Sequence, residues 1–201
     1  MIDTVIFDLG GVLIDWNPRY VFRKIFDDEE KMEYFLTEIC GDEWNKAQDA
    51  GRPIAEGNRV MIEKHPEWEN EILAFYKRWV EMLGGPIHGT VDILQTLHAK
   101  KEARLIALTN WSAETFPIAQ AKYDFLGLFE GILVSGEEKL VKPDPKIYEL
   151  VLDRYDIDRS KAVFIDDNKA NIEASTKLGL EGWQFTSPER LRGQLEERGL
   201  L

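Results

Sequence analysis

The sequence predicts an α/β fold in which a doubly wound parallel sheet carries a small inserted helical cap. Two observations predict it. Short apolar runs alternate with helical patterns along most of the chain, and one long interval after the first run lacks such runs. A strand that is buried on both faces appears as a continuous apolar run, because helices cover both sides of a parallel sheet. The length of 201 residues suits one such domain with an insertion.

Four apolar runs, and a less apolar fifth, are the predicted strands of the sheet. They are Val5–Phe7, Leu105–Leu108, Ile132–Val134, Val163–Ile165 and the fifth run, Gly182–Phe185. Between them, Val91–Ala99 and Ile147–Tyr155 have apolar residues at helical spacing. Strands that alternate with helices in this way favour parallel pairing.

The interval from about residue 16 to about residue 85 contains no convincing buried strand. It is rich in aromatic and charged residues at helical spacing, as in Ile72–Met82, and Gly84-Gly85-Pro86 predicts a turn that closes it. We therefore predict a catalytic core of residues 1–15 and 86–201 and a helical cap of residues 16–85. The alternative is an ordinary set of helices that pack on the core.

Composition restricts the possible partners and the compartment. The net charge of −12, with no basic run, disfavours nucleic acid as a partner. No apolar segment approaches the roughly 18 residues of a membrane span, and the N-terminus does not resemble a signal peptide. The single cysteine, Cys40, excludes an intrachain disulfide and is interpreted as a buried thiol. We expect a cytoplasmic protein without a membrane partner.

Polar residues follow four of the predicted strands, at the edge where a parallel sheet binds its ligands. In chain order they are Asp8, the pair Thr109 and Asn110, Lys142 in the loop after the third strand, and the pair Asp166 and Asp167. We therefore expect these side chains to converge on one crevice, which would hold three carboxylates, a hydroxyl, an amide and a cation. One such residue alone would be weak evidence, whereas four positions in strand order are stronger.

This set of residues suits phosphoryl transfer. A carboxylate such as Asp8 can attack phosphorus to give an acyl phosphate that water then hydrolyses. Lys142 would supply a fixed cation, and Thr109 and Asn110 would supply donors to the phosphoryl oxygens of a small phosphorylated substrate.

The adjacent carboxylates Asp166 and Asp167 predict a metal site. Without a cation they would repel each other, and Mg²⁺ prefers oxygen ligands and often keeps substrate phosphate in its coordination shell. Asn171, four residues after Asp167, could orient the ligand carboxylate. The structural alternatives are that Asp8 caps a turn, that the aspartate pair begins a helix, and that Lys142 is a solvated surface residue.

Four motifs together resemble the haloacid dehalogenase superfamily of hydrolases. They are Val-Ile-Phe-Asp-Leu-Gly-Gly-Val-Leu at 5–13, Leu-Thr-Asn at 108–110, Lys-Pro-Asp-Pro-Lys-Ile-Tyr at 142–148, and Phe-Ile-Asp-Asp-Asn with Asn-Ile-Glu-Ala at 164–174. Their order and spacing match over nearly the whole chain. The sequence looks most like the subfamily with a helical cap after the first motif, and is similar to small bacterial sugar-phosphate phosphatases of the glucose-1-phosphate type.

The resemblance implies a Rossmann-like sheet and a set of roles. It makes Asp8 the nucleophile, Thr109 a phosphoryl-binding residue and Lys142 the residue that steadies both. It implies Mg²⁺ bound by Asp8, the backbone carbonyl of Gly10, Asp166 and Asp167, with Asp167 the direct ligand that stands four residues before Asn171.

The sequence departs from the family pattern at Gly10. Most phosphatases of the superfamily carry an aspartate there, which protonates the leaving group and later activates water, and such help is typically worth ~10²–10⁴-fold in rate. The proton must then come from water, from the substrate or from another residue. Asp15 is the nearest acidic residue in sequence, although it could instead pin the cap hinge. The departure keeps two alternatives open, namely a metal-free 2-haloacid dehalogenase and a relative that binds without turnover.

The cap is expected to set specificity. Candidate pocket residues near its turns are Trp16, Arg19, Trp44, Lys46 and Arg52. Each could equally be an ordinary core tryptophan or a surface cation. An arginine would be wanted by a dehalogenase for the carboxylate of its substrate, and Arg19, Arg52 and Arg59 are the available ones in this interval.

Overall fold

A computed structural model describes residues 2–201, and at its centre is a five-stranded parallel sheet. The chain forms seven strands, β1 Thr4–Phe7, β2 Ile14–Trp16, β3 Leu83–Pro86, β4 Arg104–Thr109, β5 Gly131–Val134, β6 Ala162–Asp166 and β7 Glu181–Gln184. The central sheet has the order β5-β4-β1-β6-β7. All five predicted strands are therefore confirmed, and so is the α/β fold.

The order of the central strands reverses at β1, as in Rossmann-like sheets. From β1 the chain winds outward through β4 to β5, then crosses back to β6 on the other side of β1 and continues to β7. Ligands of such sheets bind at this switch point, outside the carboxyl ends of the strands. The ends of β1 and β6 carry Asp8 and Asp166, so the topology places both residues at the switch point.

Eleven helices connect the strands in the described part of the chain. They are α1 Arg19–Phe22, α2 Glu29–Tyr34, α3 Asp42–Asp49, α4 Ile54–Lys64, α5 Glu69–Lys77, α6 His88–Lys100, α7 Phe116–Lys122, α8 Ser135–Glu138, α9 Pro145–Arg154, α10 Lys169–Lys177 and α11 Pro188–Glu197. Short 3₁₀ or π turns lie at 35–39, 66–68, 79–82, 124–128 and 159–161.

Alternate residues of β1 enter two separate hydrophobic clusters, because successive side chains of a strand point to opposite faces. Ile6 packs in the cluster that contains Tyr148 and Val151 of α9. Val5 and Phe7 pack in the other cluster, which α6 joins and which continues into the helical segment. Covering both faces with helices explains why the strand runs are continuously apolar.

Helices α1–α5 lie between β2 and β3 and build an aromatic core of their own. The ring of Phe22 lies 4.8 Å from that of Phe35 and 5.8 Å from that of Phe75, and Trp44 meets Phe75 edge-on at 5.1 Å. Burial of large rings accounts for the aromatic richness of this interval. None of the helices between residues 2 and 201 is long and apolar enough to cross a lipid bilayer.

The turn predicted at Gly84-Gly85-Pro86 was wrong, because these residues belong to β3, which pairs antiparallel with β2. The ribbon could not be recognised from apolar runs, since one of its strands has three residues and the other is half glycine. A Cβ atom at Gly84 would collide with the carboxylate of Asp15, so glycine is required there for the strands to approach. The ribbon joins the helical segment to the central sheet.

Candidate active site

Three carboxylates meet at the carboxyl edge of the sheet. Asp8 follows β1, Asp166 ends β6, and Asp167 follows it. One oxygen from each lies within 4.8 Å of the other two. The convergence expected for these three residues is therefore present in the structure.

The ammonium group of Lys142 lies between two of these carboxylates. Its Nζ is 3.0 Å from Oδ1 of Asp8 and 2.7 Å from Oδ2 of Asp166, and it donates to the carbonyl oxygen of Leu108 at 3.0 Å. The side chain is fully buried, so the surface-residue alternative is excluded. Burial alone would lower the pKa of Lys142, but the carboxylates of Asp8 and Asp166 raise it. Lys142 is therefore held as a cation.

The carboxylate of Asp8 has a fixed orientation. Its Oδ1 accepts from the backbone N–H of Leu9 at 2.7 Å and faces Lys142 Nζ. Burial raises the pKa of Asp8 to about 8, the cation of Lys142 opposes that rise, and the negative charge of Asp166 adds to it. Asp8 thus lies where further positive charge would stabilise its ionised form.

Asn171 contacts Asp166, whereas the sequence spacing had paired it with Asp167. Its Nδ2 donates to Oδ1 and Oδ2 of Asp166 at 3.1 and 3.0 Å, and the backbone N–H of Asn168 donates to Oδ1 at 2.8 Å. Together with Lys142, these donors hold a fully buried Asp166. Helix α10 begins after Asn168, whose side chain caps it, so the aspartate pair does not serve as the N-cap.

Asp167 is the more accessible member of the pair. It lies against Gly11, where a Cβ atom would collide with its carboxylate and where the backbone has φ +71°. Burial and the neighbouring charge of Asp166 raise the pKa of Asp167. Three clustered carboxylates with one lysine leave an excess of negative charge at the site, and this donor set fits a divalent cation with oxygen ligands.

The residues after β4 have different environments. The buried hydroxyl of Thr109 has no hydrogen-bond partner among residues 2–201. Asn110 uses both atoms of its side-chain amide on the backbone of Lys142: Nδ2 donates to the carbonyl oxygen at 3.0 Å, and Oδ1 accepts from the N–H at 2.8 Å. The Asn110 side chain therefore fixes the lysine loop, and Thr109 keeps a free buried hydroxyl.

A cavity of about 250 Å³ opens above Asp8. Its floor includes Asp8, Gly10, Gly11, Asn110 and Asp167, and its remaining walls are Trp16, Asn45, Asp49, Tyr76, Trp79, Trp111 and Thr115. Four of these wall residues are aromatic. The walls come both from the sheet loops and from the helical segment, so the two parts enclose one space.

Of the five cap residues predicted to line the pocket, Trp16 does so and the other four do not. Arg19 donates to Glu33 at 2.6 and 2.5 Å, Arg52 donates to Gln48 and to the carbonyl of Trp44, and the indole N–H of Trp44 donates to Gly57. Lys46, the fourth, is also absent from the cavity walls. Arg19, Trp44 and Arg52 therefore bind partners inside the helical segment.

Asp15 does not line the cavity. Its Oδ2 accepts from the hydroxyl of Tyr20 at 2.6 Å, beside Gly84 in the ribbon. Asp15 is therefore bound at the junction of the helical segment. Gly10 does line the cavity, and a Cβ atom there would meet nothing within 4 Å.

The sequence interpretation missed the polar residues that the helical segment contributes. Asn45, Asp49 and Tyr76 face the cavity from α3 and α5. The spacing of Asn45 and Asp49 puts them on one face of α3, but nothing in the sequence indicates that this face turns toward Asp8. Cys40 is buried, as predicted, and burial raises the pKa of its thiol.

Comparison with known proteins agrees with this geometry. Residues 2–179 match the model of the family described as haloacid dehalogenase-like hydrolase. A sesquiterpene phosphatase of Aspergillus oryzae is 27% identical over 91% of this chain and 89% of its own. A phosphorylated carbohydrates phosphatase of Thermotoga maritima is 26% identical over 89% of this chain and 82% of its own.

The fold is also similar to that of a solved enzyme of the same family. That enzyme comes from Bacteroides thetaiotaomicron and was crystallised with magnesium and inorganic phosphate. It superposes with a TM-score of 0.69 over 93% of this chain and 96% of its own, at 24% identity. The match of the family model over most of the chain, on the fold and motifs described above, shows that this protein belongs to the haloacid dehalogenase-like hydrolase family.

Proposed function

We propose that the protein is a Mg²⁺-dependent phosphatase that hydrolyses a small phosphorylated metabolite through an aspartyl-phosphate on Asp8. The observation that carries the proposal is the cluster of Asp8, Asp166 and Asp167, in which the single ammonium group of Lys142 contacts the first two. A site that binds a phosphoryl group must offset more negative charge than this lysine can. The cluster therefore supports a phosphatase that works with a divalent cation.

Each residue of the site has a part in this reaction. Asp8 attacks phosphorus from the orientation that Leu9 and Lys142 give it. The unpartnered hydroxyl of Thr109 donates to a phosphoryl oxygen, and the ammonium of Lys142 stabilises the charge that develops there. Asn110 holds the lysine loop in position through its side chain.

Four groups would hold the metal ion. They are the carboxylates of Asp8 and Asp167, the backbone carbonyl of Gly10, and Asp166, either directly or through water. When bound, Mg²⁺ would neutralise part of the charge on the phosphoryl oxygens and on the carboxylates. Because Lys142, Asn168 and Asn171 already hold Asp166, we assign the more direct contact to Asp167.

The dehalogenase alternative is less well supported by the cavity. A 2-haloacid carries a carboxylate that needs a cation beside it, but no arginine or lysine is among the described residues that line the cavity. Arg19 and Arg52 are engaged elsewhere, and Arg59 pairs with Glu63 at 2.6 Å. A metal-free site would also gain nothing from three clustered carboxylates.

The cavity and the relatives together suggest the substrate class. Aromatic walls with a few polar groups suit the face of a sugar or an apolar group better than a second anionic group. The two relatives act, by their names, on a sesquiterpene and on phosphorylated carbohydrates. We propose a substrate with one phosphate and a neutral leaving group, and we propose that residues 16–85 form the cap that covers it.

The test is a release assay on the purified protein. Phosphate release is measured from sugar phosphates, nucleotides, prenyl phosphates and aryl phosphates with Mg²⁺, and halide release from 2-haloacids without it. Phosphate release that depends on Mg²⁺ supports the proposal. Halide release in excess chelator would establish the dehalogenase, and the absence of both from a folded protein would favour the relative that only binds.

A further inference from the structure

Asp49 is a carboxylic acid in the wall of the active-site cavity, and the resemblance described above assigns it no role. It is the last residue of α3 and lines the same cavity as Asp8. Asp49 belongs to the helical segment, whereas Asp8 follows β1 of the central sheet. Asp49 lies far from the carboxylate cluster in sequence and is not among the residues that could share its metal ion.

The surroundings of Asp49 hold its carboxyl group in place without neutralising it. Nδ2 of Asn45 donates to its Oδ2 at 3.2 Å, and the backbone N–H of Ser112 donates to the same carboxylate. Both donors are uncharged. No cation of the described residues contributes to its environment. The carboxyl group also lies at the C-terminal end of α3, where the helix dipole disfavours negative charge.

A chain of hydrogen bonds fixes the orientation of Asn45. Its Oδ1 accepts from the hydroxyl of Tyr76 at 2.9 Å, so its N–H₂ group must face Asp49. The Tyr76 oxygen accepts in turn from Nε2 of Gln48 at 3.3 Å, and Arg52 donates to Oε1 of Gln48 at 2.6 Å. The network therefore fixes the amide orientation of Asn45 beside Asp49, and it engages Arg52, which does not line the cavity.

These surroundings keep a substantial fraction of Asp49 protonated at neutral pH. Burial raises the pKa of Asp49 to about 7, and the hydrogen bond from Ser112 opposes only part of that rise. An acid that releases its proton near neutral pH is suited to general acid catalysis, which is most effective when the pKa lies near the working pH.

We propose that Asp49 is the proton donor to the leaving group and takes the place of the carboxylate that is missing at Gly10. The proposal rests on the phosphatase function proposed above. As Asp8 attacks phosphorus, the bond from phosphorus to the leaving oxygen breaks, and that oxygen takes its electron pair together with the proton of Asp49. The products are the alcohol, the acyl phosphate on Asp8 and the Asp49 carboxylate.

The same residue completes the second half of the reaction. The Asp49 carboxylate accepts a proton from a water molecule whose oxygen attacks the phosphorus. The bond between phosphorus and the Asp8 oxygen breaks, inorganic phosphate leaves, and the Asp8 carboxylate and the protonated Asp49 are regenerated. The cycle is therefore balanced and needs no reactant other than water.

Contacts between the two parts of the structure assemble this acid at the site. Besides the N–H of Ser112, the hydroxyl of Ser135 donates to the backbone carbonyl of Asp49 at 2.6 Å and accepts from the N–H of Trp111 at 2.9 Å. Nearby, the carboxylate of Glu114 accepts from the backbone N–H of Ile54, the first residue of α4, at 2.7 Å. These contacts between the helical segment and the sheet loops hold Asp49 at the cavity.

The experiment compares leaving groups. With Mg²⁺ present, kcat/KM is measured for a series of substrates from 2,4-dinitrophenyl phosphate to simple alkyl phosphates. The proteins compared are the native protein, Asp49→Asn and the control Glu43→Gln. The control makes the same carboxyl-to-amide change at an exposed position of α3. In the native and control proteins, we expect kcat/KM to depend only weakly on the pKa of the leaving group. Asp49→Asn should lose ~10²–10⁴-fold on alkyl phosphates and little on the dinitrophenyl ester, which needs no proton.

A rescue separates a lost proton donor from a damaged cavity. Because the space at Gly10 is open, Gly10→Asp in the Asp49→Asn background should restore the shallow dependence. Asp49→Ser serves as a second variant if the amide disturbs folding. A steep dependence in the native protein, an unchanged one in the variant, or an equal loss on every substrate would each overturn the role of Asp49 while leaving the phosphatase intact. If the native protein released no phosphate at all, the proposed function would fail first.

Discussion

Nζ of Lys142 lies 3.0 Å from Oδ1 of Asp8, and the lysine has no exposed side-chain surface. The same ammonium group faces Asp166 at 2.7 Å, so one buried cation serves two buried carboxylates. Coulomb interactions of this kind are strong because little water screens them. The lysine therefore has both a structural and a catalytic consequence that can be measured separately.

Lys142→Met is expected to lower the free energy of unfolding by about 3–5 kcal/mol at pH 7, since it leaves two buried carboxylates without their cation. It should also abolish measurable turnover, because the developing charge on the phosphoryl group loses its fixed partner. Denaturant titration and an activity assay check the two effects. Lys146→Met, at an exposed position of α9, is the control and should change neither.

Asp8→Asn is expected to remove turnover and preserve the fold, because an amide is not a competent nucleophile. In the native protein, beryllium fluoride with Mg²⁺ should bind at Asp8 as a phosphoryl mimic, and fluorine NMR or crystallography would detect it. Asp153→Asn, exposed on α9, is the matched control. Substantial phosphatase activity in a pure Asp8→Asn preparation would show that another residue is the nucleophile.

Chelation is expected to stop turnover and added Mg²⁺ to restore it. Asp167→Ala should weaken Mg²⁺ binding more than Asn171→Ala, whose effect through Asp166 should be about 10–100-fold. Calorimetric titration with Mg²⁺ measures both, and Glu173→Ala on the same helix is the control. The reverse order would make Asp166, and not Asp167, the more direct ligand.

The pKa of Asp49 predicts how stability and activity respond to pH. Because folding raises this pKa from 3.8 to about 7, the folded state binds the proton more tightly, and the stability contributed by the protonated group is lost as the pH rises through about 7. The titratable groups that face Asp49 include Tyr76 and, across the cavity, Asp8 and Asp167.

The measurement compares the native protein with Asp49→Asn. The unfolding free energy of the variant relative to the native protein should increase between pH ~4 and ~7, by at most about 1.4 kcal/mol per pH unit. For alkyl phosphates, kcat/KM of the native protein should fall above pH ~7, and this limb should be missing in the variant. Glu43→Gln should keep the native profile. If kcat/KM of Asp49→Asn still fell above pH ~7, another group would be responsible for that fall.

The sequence predicted the sheet and its catalytic edge because both follow from local patterns. Runs such as Val5–Phe7 are typical of buried strands, and the rule that carboxyl ends of parallel strands meet placed Asp8 near Asp166. The choice between Asp166 and Asp167 as the partner of Asn171 was harder. Adjacent residues at a strand end point to opposite sides, so a shift of one position reverses which carboxylate is buried.

The ribbon and the wall of the cavity could not be predicted in the same way. Strand β3 is half glycine and has no apolar run to reveal it. Asp49 is bound at the cavity wall by Ser112 and Ser135, which follow β4 and β5 and lie far away in sequence. Contacts between distant segments leave no periodic signal in either segment.

The ribbon of β2 and β3 also limits how the helical segment can move. The two connections between this segment and the sheet are β2 and β3, which are hydrogen-bonded to each other. One strand therefore cannot twist unless the other twists with it. A movement of the helical segment would therefore have to bend both strands together. Such a movement would change the distance between Asp49 and Asp8, which line the cavity from its two sides. A bulkier side chain at Gly84 would collide with Asp15 and push the two strands apart, so it should loosen the joint between the helical segment and the sheet.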